Sequence, residues 1–156
     1  MARALVAVGA ALVFLLLVLG AVIYVNRDED AIAVDNLLAE SISREIGTAE
    51  QRGADTVALA DVTDFEWDHV LLAEHDASRE AISDALGAEW KGDVAFGTGD
   101  LLIFVRRGHV ARYADYRGEG RFAGVKRPVA RFDRDDAVFS VRDLVIRPAS
   151  SPSSSG

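Results

Sequence analysis

Ala4 to Val25 is a run of 22 residues without a single charge: Ala-Leu-Val-Ala-Val-Gly-Ala-Ala-Leu-Val-Phe-Leu-Leu-Leu-Val-Leu-Gly-Ala-Val-Ile-Tyr-Val. At about 1.5 Å rise per residue a helix of this length spans about 33 Å, which matches a hydrocarbon core roughly 30 Å thick. A helix satisfies its own backbone groups in lipid, so the segment is able to cross alone. Tyr24 falls where an interfacial aromatic belongs. Arg3 and the amino terminus flank one end, whereas Arg27 at the other is followed at once by Asp28, Glu29 and Asp30. The positive-inside tendency then predicts a cytoplasmic N-terminus and an extracytoplasmic domain. The competing assignment is a cleaved signal peptide, with Ala31-Ile32-Ala33 as the small-x-small site. The apolar run exceeds the usual length of roughly 7–15 residues for a signal core, and charges separate it from that site, which favours a retained anchor. Gly9 and Gly20 form no close-packing small-xxx-small pair, so no helix dimer is predicted.

This partitions the chain into an anchor at 1–26, a domain at 27–146 and a Ser-rich tail at 147–156 that is expected to be disordered. Roughly 120 residues suffice for one hydrophobic core without metals or cross-links. The absence of cysteine excludes disulfides and thiol chemistry. Charge is unevenly placed. Residues 28–100 hold 19 Asp/Glu against four Lys/Arg, and residues 101–156 hold six against eleven. Such a split marks either a partner surface or two halves that fold together and neutralise each other, and the second is the simpler expectation.

Val34, Leu37, Leu38, Ile42 and Ile46 recur at helical spacing, with Gly47 as the expected stop. Thr56 to Leu59 reads as a short strand. Phe65, Trp67, His69, Leu71 and Ala73 alternate, which predicts one strand with these side chains on one face. Asp76 or Ser78 is the candidate cap of a second helix with Ala81, Ile82, Ala85 and Leu86 as its apolar stripe and Gly87 at its end. Further strands are predicted at Val94 to Phe96, Leu101 to Val105, Val110 to Tyr116, Val125 to Phe132 and Ala137 to Val141. Leu101 to Val105 is apolar on both faces, as a central strand is, and Pro128 suggests that its strand lies at an edge or starts there. The expected class is α+β: a transmembrane helix, then about two helices and a mostly antiparallel sheet of five or six strands. Trp67, Leu71, Leu86, Ile103 and Phe104 are expected to be buried together.

No catalytic, cofactor-binding or metal-binding set stands out. Trp67 between Glu66 and Asp68 is able to stack on a sugar, but its period with Phe65 and Leu71 fits a core residue better. His69, His75 and His109 lack converging partners at zinc spacing. Gly97-Thr98-Gly99 lacks the third glycine of a dinucleotide fingerprint and the lysine of a phosphate loop. Ser41, Ser43, Ser78 and Ser83 sit on predicted helices with no nucleophile-elbow setting. Paired carboxylates are so common in the acidic half that no pair is singled out. Arg106, Arg107, Arg112, Arg117, Arg121, Lys126, Arg127, Arg131 and Arg134 alternate with aromatic residues. Outside a membrane this pattern points to lipid head groups or an anionic envelope polymer rather than nucleic acid. Strand alternation sends these arginines to both faces, leaving a modest positive patch near Arg106, Arg107 and Arg127.

The stretch from Asp61 through Phe65-Glu66-Trp67-Asp68 to Val70, a short helix ending Leu86-Gly87, then Trp90 and Leu101 to Val105, resembles a group of small single-pass bacterial envelope proteins. The likeness covers roughly residues 55–106, and Glu74-His75-Asp76 replaces the aromatic-proline loop of that group. The resemblance implies a membrane-anchored protein and carries no functional residue across. The expected function is thus a non-enzymatic interaction or envelope-associated domain, anchored in the bilayer through residues 4–25, with an envelope protein or anionic polymer as partner. The alternative is an envelope hydrolase using carboxylates of the acidic half.

Overall fold

A computed structural model describes residues 34–54, 56–93, 99–125 and 128–149. The predicted anchor, the strand at Val94 to Phe96 and the end of the Ser-rich tail lie outside these residues. Among the described residues no helix is long and apolar enough to cross a membrane. The chain divides after Ala31, and all described residues belong to the second unit.

The second unit is α+β, with eight strands in two four-stranded sheets and three α-helices among the described residues. In chain order the elements are α1 (Asn36–Arg52), β1 (Thr56–Ala58), α2 (Leu59–Val62), β2 (His69–Ala73), α3 (Arg79–Leu86), β3 (Asp100–Arg106), β4 (His109–Tyr116), β5 (Arg121–Phe122), β6 (Val129–Asp133), β7 (Val138–Arg142) and β8 (Val145–Pro148), with a 3₁₀ turn (Arg134–Asp136) before β7. The expected single sheet of five or six strands is therefore corrected to two sheets. The first runs β4-β3-β2-β6 and is antiparallel throughout. The second runs β1-β7-β8-β5, with β5 parallel to β8.

β2 and β3 occupy the middle of the first sheet and are apolar on both faces, so each face acquires its own core. On one face Val70, Leu72, Leu102, Phe104 and Phe132 meet Leu38, Ile42 and Ile46 of α1 and Val57, Phe139 and Ile146 of the second sheet. On the other, Leu71, Ile103 and Tyr113 lie in register across three strands and are covered by Ile82 of α3 and by Trp90. The expected common burial of Trp67, Leu71, Leu86, Ile103 and Phe104 is thus split. Trp67 and Phe104 belong to the larger core, and Leu71 and Ile103, with Leu86 half-buried beside them, to the smaller.

The strand predicted from Phe65 begins only at His69. The chain bends at Asp68, whose N–H donates to Val105 O and whose carbonyl accepts from Arg134 N. The bend breaks the alternation, so Phe65 and Trp67 reach the face opposite to Leu71. α1 also departs from expectation. Asp35 is its N-cap, accepting from Leu38 N at 2.9 Å, and Val34 instead forms a β-bridge with Tyr113. Leu37 is 76% exposed. The helix passes through Gly47 and stops at Gly53, whose φ of +63° forms the left-handed cap. α3 is capped as predicted by Ser78 and Gly87, although only Ile82 of its stripe is fully buried. β6 starts directly after Pro128 and is an edge strand. β8 extends through Arg147 and Pro148, two residues assigned to the tail from sequence.

Candidate functional site

Most of the polar residues marked by the sequence serve the fold. Trp67 is 3% exposed, packs edge-on against Phe104 with centroids 5.1 Å apart, and donates Nε1–H to Thr63 Oγ1 at 2.8 Å. Arg134 lies over its ring at 4.9 Å, so no open face remains for a sugar. His69 is buried at the start of β2. Burial holds its imidazole below the usual range, and the nearby Arg131 adds to this against opposing pulls from Asp133 and Asp68. His109 is exposed at the start of β4. Ser43 Oγ accepts from Glu119 N, Ser78 caps α3, and Ser83 Oγ donates to Arg79 O and accepts from Trp90 N. Gly97 and Thr98 lie outside the described residues, as do Lys126 and Arg127 of the basic stretch. Arg106 pairs with Glu66, and Arg112 pairs with Asp35 at 3.0 Å while lying over the Phe65 ring. Arg117 and Arg131 pair within the basic half, with Asp115 and Asp133. The arginines are therefore spread over the sheet, and the pairs of Arg106 and Arg112 join the two halves of the chain.

Two concavities stand out among the described residues. One, of about 300 Å³, runs along α1 beside Ser43, Gly47 and Glu119. Its polar groups already serve one another through the Glu40–Arg44 pair and the Ser43–Glu119 hydrogen bond. The other is larger, about 480 Å³, and opens where the C-terminal end of β2 and the start of β3 approach β5. Glu74, His75 and Asp76 reach it from the turn that follows β2, Asp100 from the first position of β3, and residues 121–124 close the opposite side. Glu74, His75 and Asp76 are consecutive in sequence, yet all three line this one cavity.

Asp100 is the polar group deepest in the fold at this point, 9% exposed. Burial pushes its carboxyl above the ordinary carboxylate range, against weaker downward pulls from the backbone of His75 and Phe122 and from the nearby His75 charge. Glu74 adds to the upward push. Asp100 thus lies between the turn after β2 and β5. Among the described residues none of Glu74, Asp76 and Asp100 forms an ion pair. No three acidic or histidine side chains converge closely enough among the described residues to hold a metal ion. Comparison of the chain with protein families, with curated proteins and with solved structures finds no match.

The sequence signal for this site was a lone aspartate opening an otherwise apolar central strand, Asp100-Leu101-Leu102-Ile103-Phe104-Val105. A carboxylate at the mouth of a buried strand is costly unless the fold gives it donors. Arg121 and the following residues carried no signal, because β5 is only two residues long.

Proposed function

We propose that this protein is a non-enzymatic binding module, tethered to the cell membrane by residues 4–25 and displayed on the extracytoplasmic side. The cavity around Asp100 is its ligand site. The observation that carries this reading is the makeup of that cavity: three carboxylates, one imidazole, one guanidinium, the Phe122 ring and two small residues, with no hydroxyl, thiol or lysine nucleophile among the side chains that line it. Its volume is that of a small-molecule site, which typically falls in the range of roughly 300–1,000 Å³. The tether rests on the length and flanking charges of the apolar run.

A second reading, a hydrolase working through carboxylates, is favoured by one feature. The raised Asp100 carboxyl lies beside Glu74 and Asp76, and a pair of acids held in different protonation states is what acid–base hydrolysis uses. The cavity is open to solvent and lacks the water exclusion that such chemistry uses, so binding is the preferred assignment. The topology is tested by reporters fused after Gly156. One that requires export for activity should be active and one that requires the cytoplasm inactive. The opposite pattern removes the extracytoplasmic assignment.

A further inference from the structure

We propose that the cavity between β5 and the ends of β2 and β3 binds a small organic cation bearing primary ammonium groups. Asp100 is the main anchor, and Glu74 and Asp76 are secondary ones. This deepens the binding assignment made above and rests on it.

Three observations lead there. The first is charge: three carboxylates face one guanidinium, that of the exposed Arg121, and no described ion pair uses any of the three. A concavity with one excess sign concentrates ligands of the other. The second is the state of Asp100. At 9% exposure it has lost most of its water, and no described ion pair neutralises it. A carboxylate has about four acceptor positions, which leaves room for a charge-assisted bond from an ammonium group. The third is spacing. No three of these acidic or histidine groups converge on one point, which disfavours a compact metal ion, while about 480 Å³ of space accommodates a molecule of several heavy atoms. Carboxylates distributed around a volume suit a ligand whose charges are themselves separated.

The test is calorimetric titration of the full chain in detergent micelles, near neutral pH and at low salt, with putrescine. Controls are 1,4-butanediol of the same length, calcium and inorganic phosphate. The expected result is saturable putrescine binding, no binding of butanediol, and an affinity at least about tenfold lower in Asp100→Asn, equivalent to about 1.4 kcal/mol. Asparagine has nearly the same size and shape, so this variant removes the charge and little else. Circular dichroism melting checks that it folds, and Glu74→Gln at the rim, expected to weaken binding about two- to fivefold, serves if it does not. Equal binding to wild type and to the folded Asp100→Asn variant overturns the proposal, as does equal binding of butanediol. Calcium binding that displaces putrescine overturns it in favour of a metal. Phosphate binding that is lost in Arg121→Gln overturns the cation but leaves the ligand site standing. Silence with every probe overturns both.

Discussion

At the scale of single residues, His69 and Asp100 are the buried imidazole and the buried carboxyl of the first sheet, and they respond to pH in opposite senses. His69 is held below its ordinary value of 6.5 chiefly by burial, then by Arg131. The unfolded chain therefore takes up a proton more readily than the folded one. The stability His69 contributes as a neutral ring is fully present above about pH 6.5 and is lost as pH falls through the unfolded and then the folded value. The melting temperature should decline between about pH 7 and pH 5.5, and His69→Gln should flatten that slope. A slope unchanged in the variant would place the titration elsewhere. The burial of Trp67 was legible from its type and its apolar neighbours, but its direction was not. Alternation assumes an unbroken strand, and the hydrogen bonds of Asp68 to Val105 and Arg134 interrupt it one residue before β2. Nor was the role of Asp100 legible, since the residues that share its cavity come from positions distant in sequence.

At the scale of elements, glycine had two meanings that the sequence could not separate. Gly87 ends α3 in the left-handed region, as its position suggested. Gly47 lies inside α1, where the atom nearest to an added Cβ is a carboxylate oxygen of Glu119 at 2.7 Å. That oxygen is the free end of an exposed, flexible side chain, so it is able to move aside. Removing a mid-helix glycine gains roughly 0.5–1 kcal/mol. Gly47→Ala should accordingly stabilise the domain by about 0.5–1 kcal/mol in denaturant unfolding. A loss of 1 kcal/mol or more would mean that the 117–120 segment depends on close approach to α1. β8 escaped the sequence for a related reason. Its hairpin with β7 turns at Asp143 and Leu144, with φ of +51° and +56°. Tight hairpins of this kind normally announce themselves with Asn-Gly or Asp-Gly, and a leucine there gives no warning. Where the turn chemistry was conventional, at Arg107-Gly108 between β3 and β4, the hairpin was legible.

For the molecule as a whole, the first sheet acts as a partition between two cores. Trp67 anchors the larger and Trp90 the smaller, where it is 1% exposed and meets Tyr113 edge-on at 5.1 Å. Arg79 fastens the Trp90 loop by donating to the carbonyls of Trp90 and Gly92 at 2.6 and 3.0 Å. Trp67→Ala and Trp90→Ala should each cost about 3–5 kcal/mol. Because a layer of backbone separates the two sites, the double variant should equal the sum of the singles within about 0.5 kcal/mol. If two such losses exceed the total stability, milder Trp→Phe changes serve the same cycle. A large coupling term would mean that the sheet transmits strain from face to face. The α+β class was legible because apolar period and turn residues agree along most of the chain. The division into two sheets was not, because it depends on β5 and β8, which are short and pair with each other across more than twenty positions of sequence. The exposed ion pairs, each contributing only about 0–1 kcal/mol, do not decide the matter.

The point at which the chain enters this domain has a mechanical meaning. Val34 bridges to the free edge of β4, and the next residue, Asp35, donates its N–H to Tyr113 O, caps α1 with its carboxylate and grips the Arg112 guanidinium. A pull transmitted along the preceding residues therefore arrives at a strand, a helix end and a side-chain clamp together. The load is shared before any one of them yields, so such a pull moves the domain as a body instead of peeling α1 from its end.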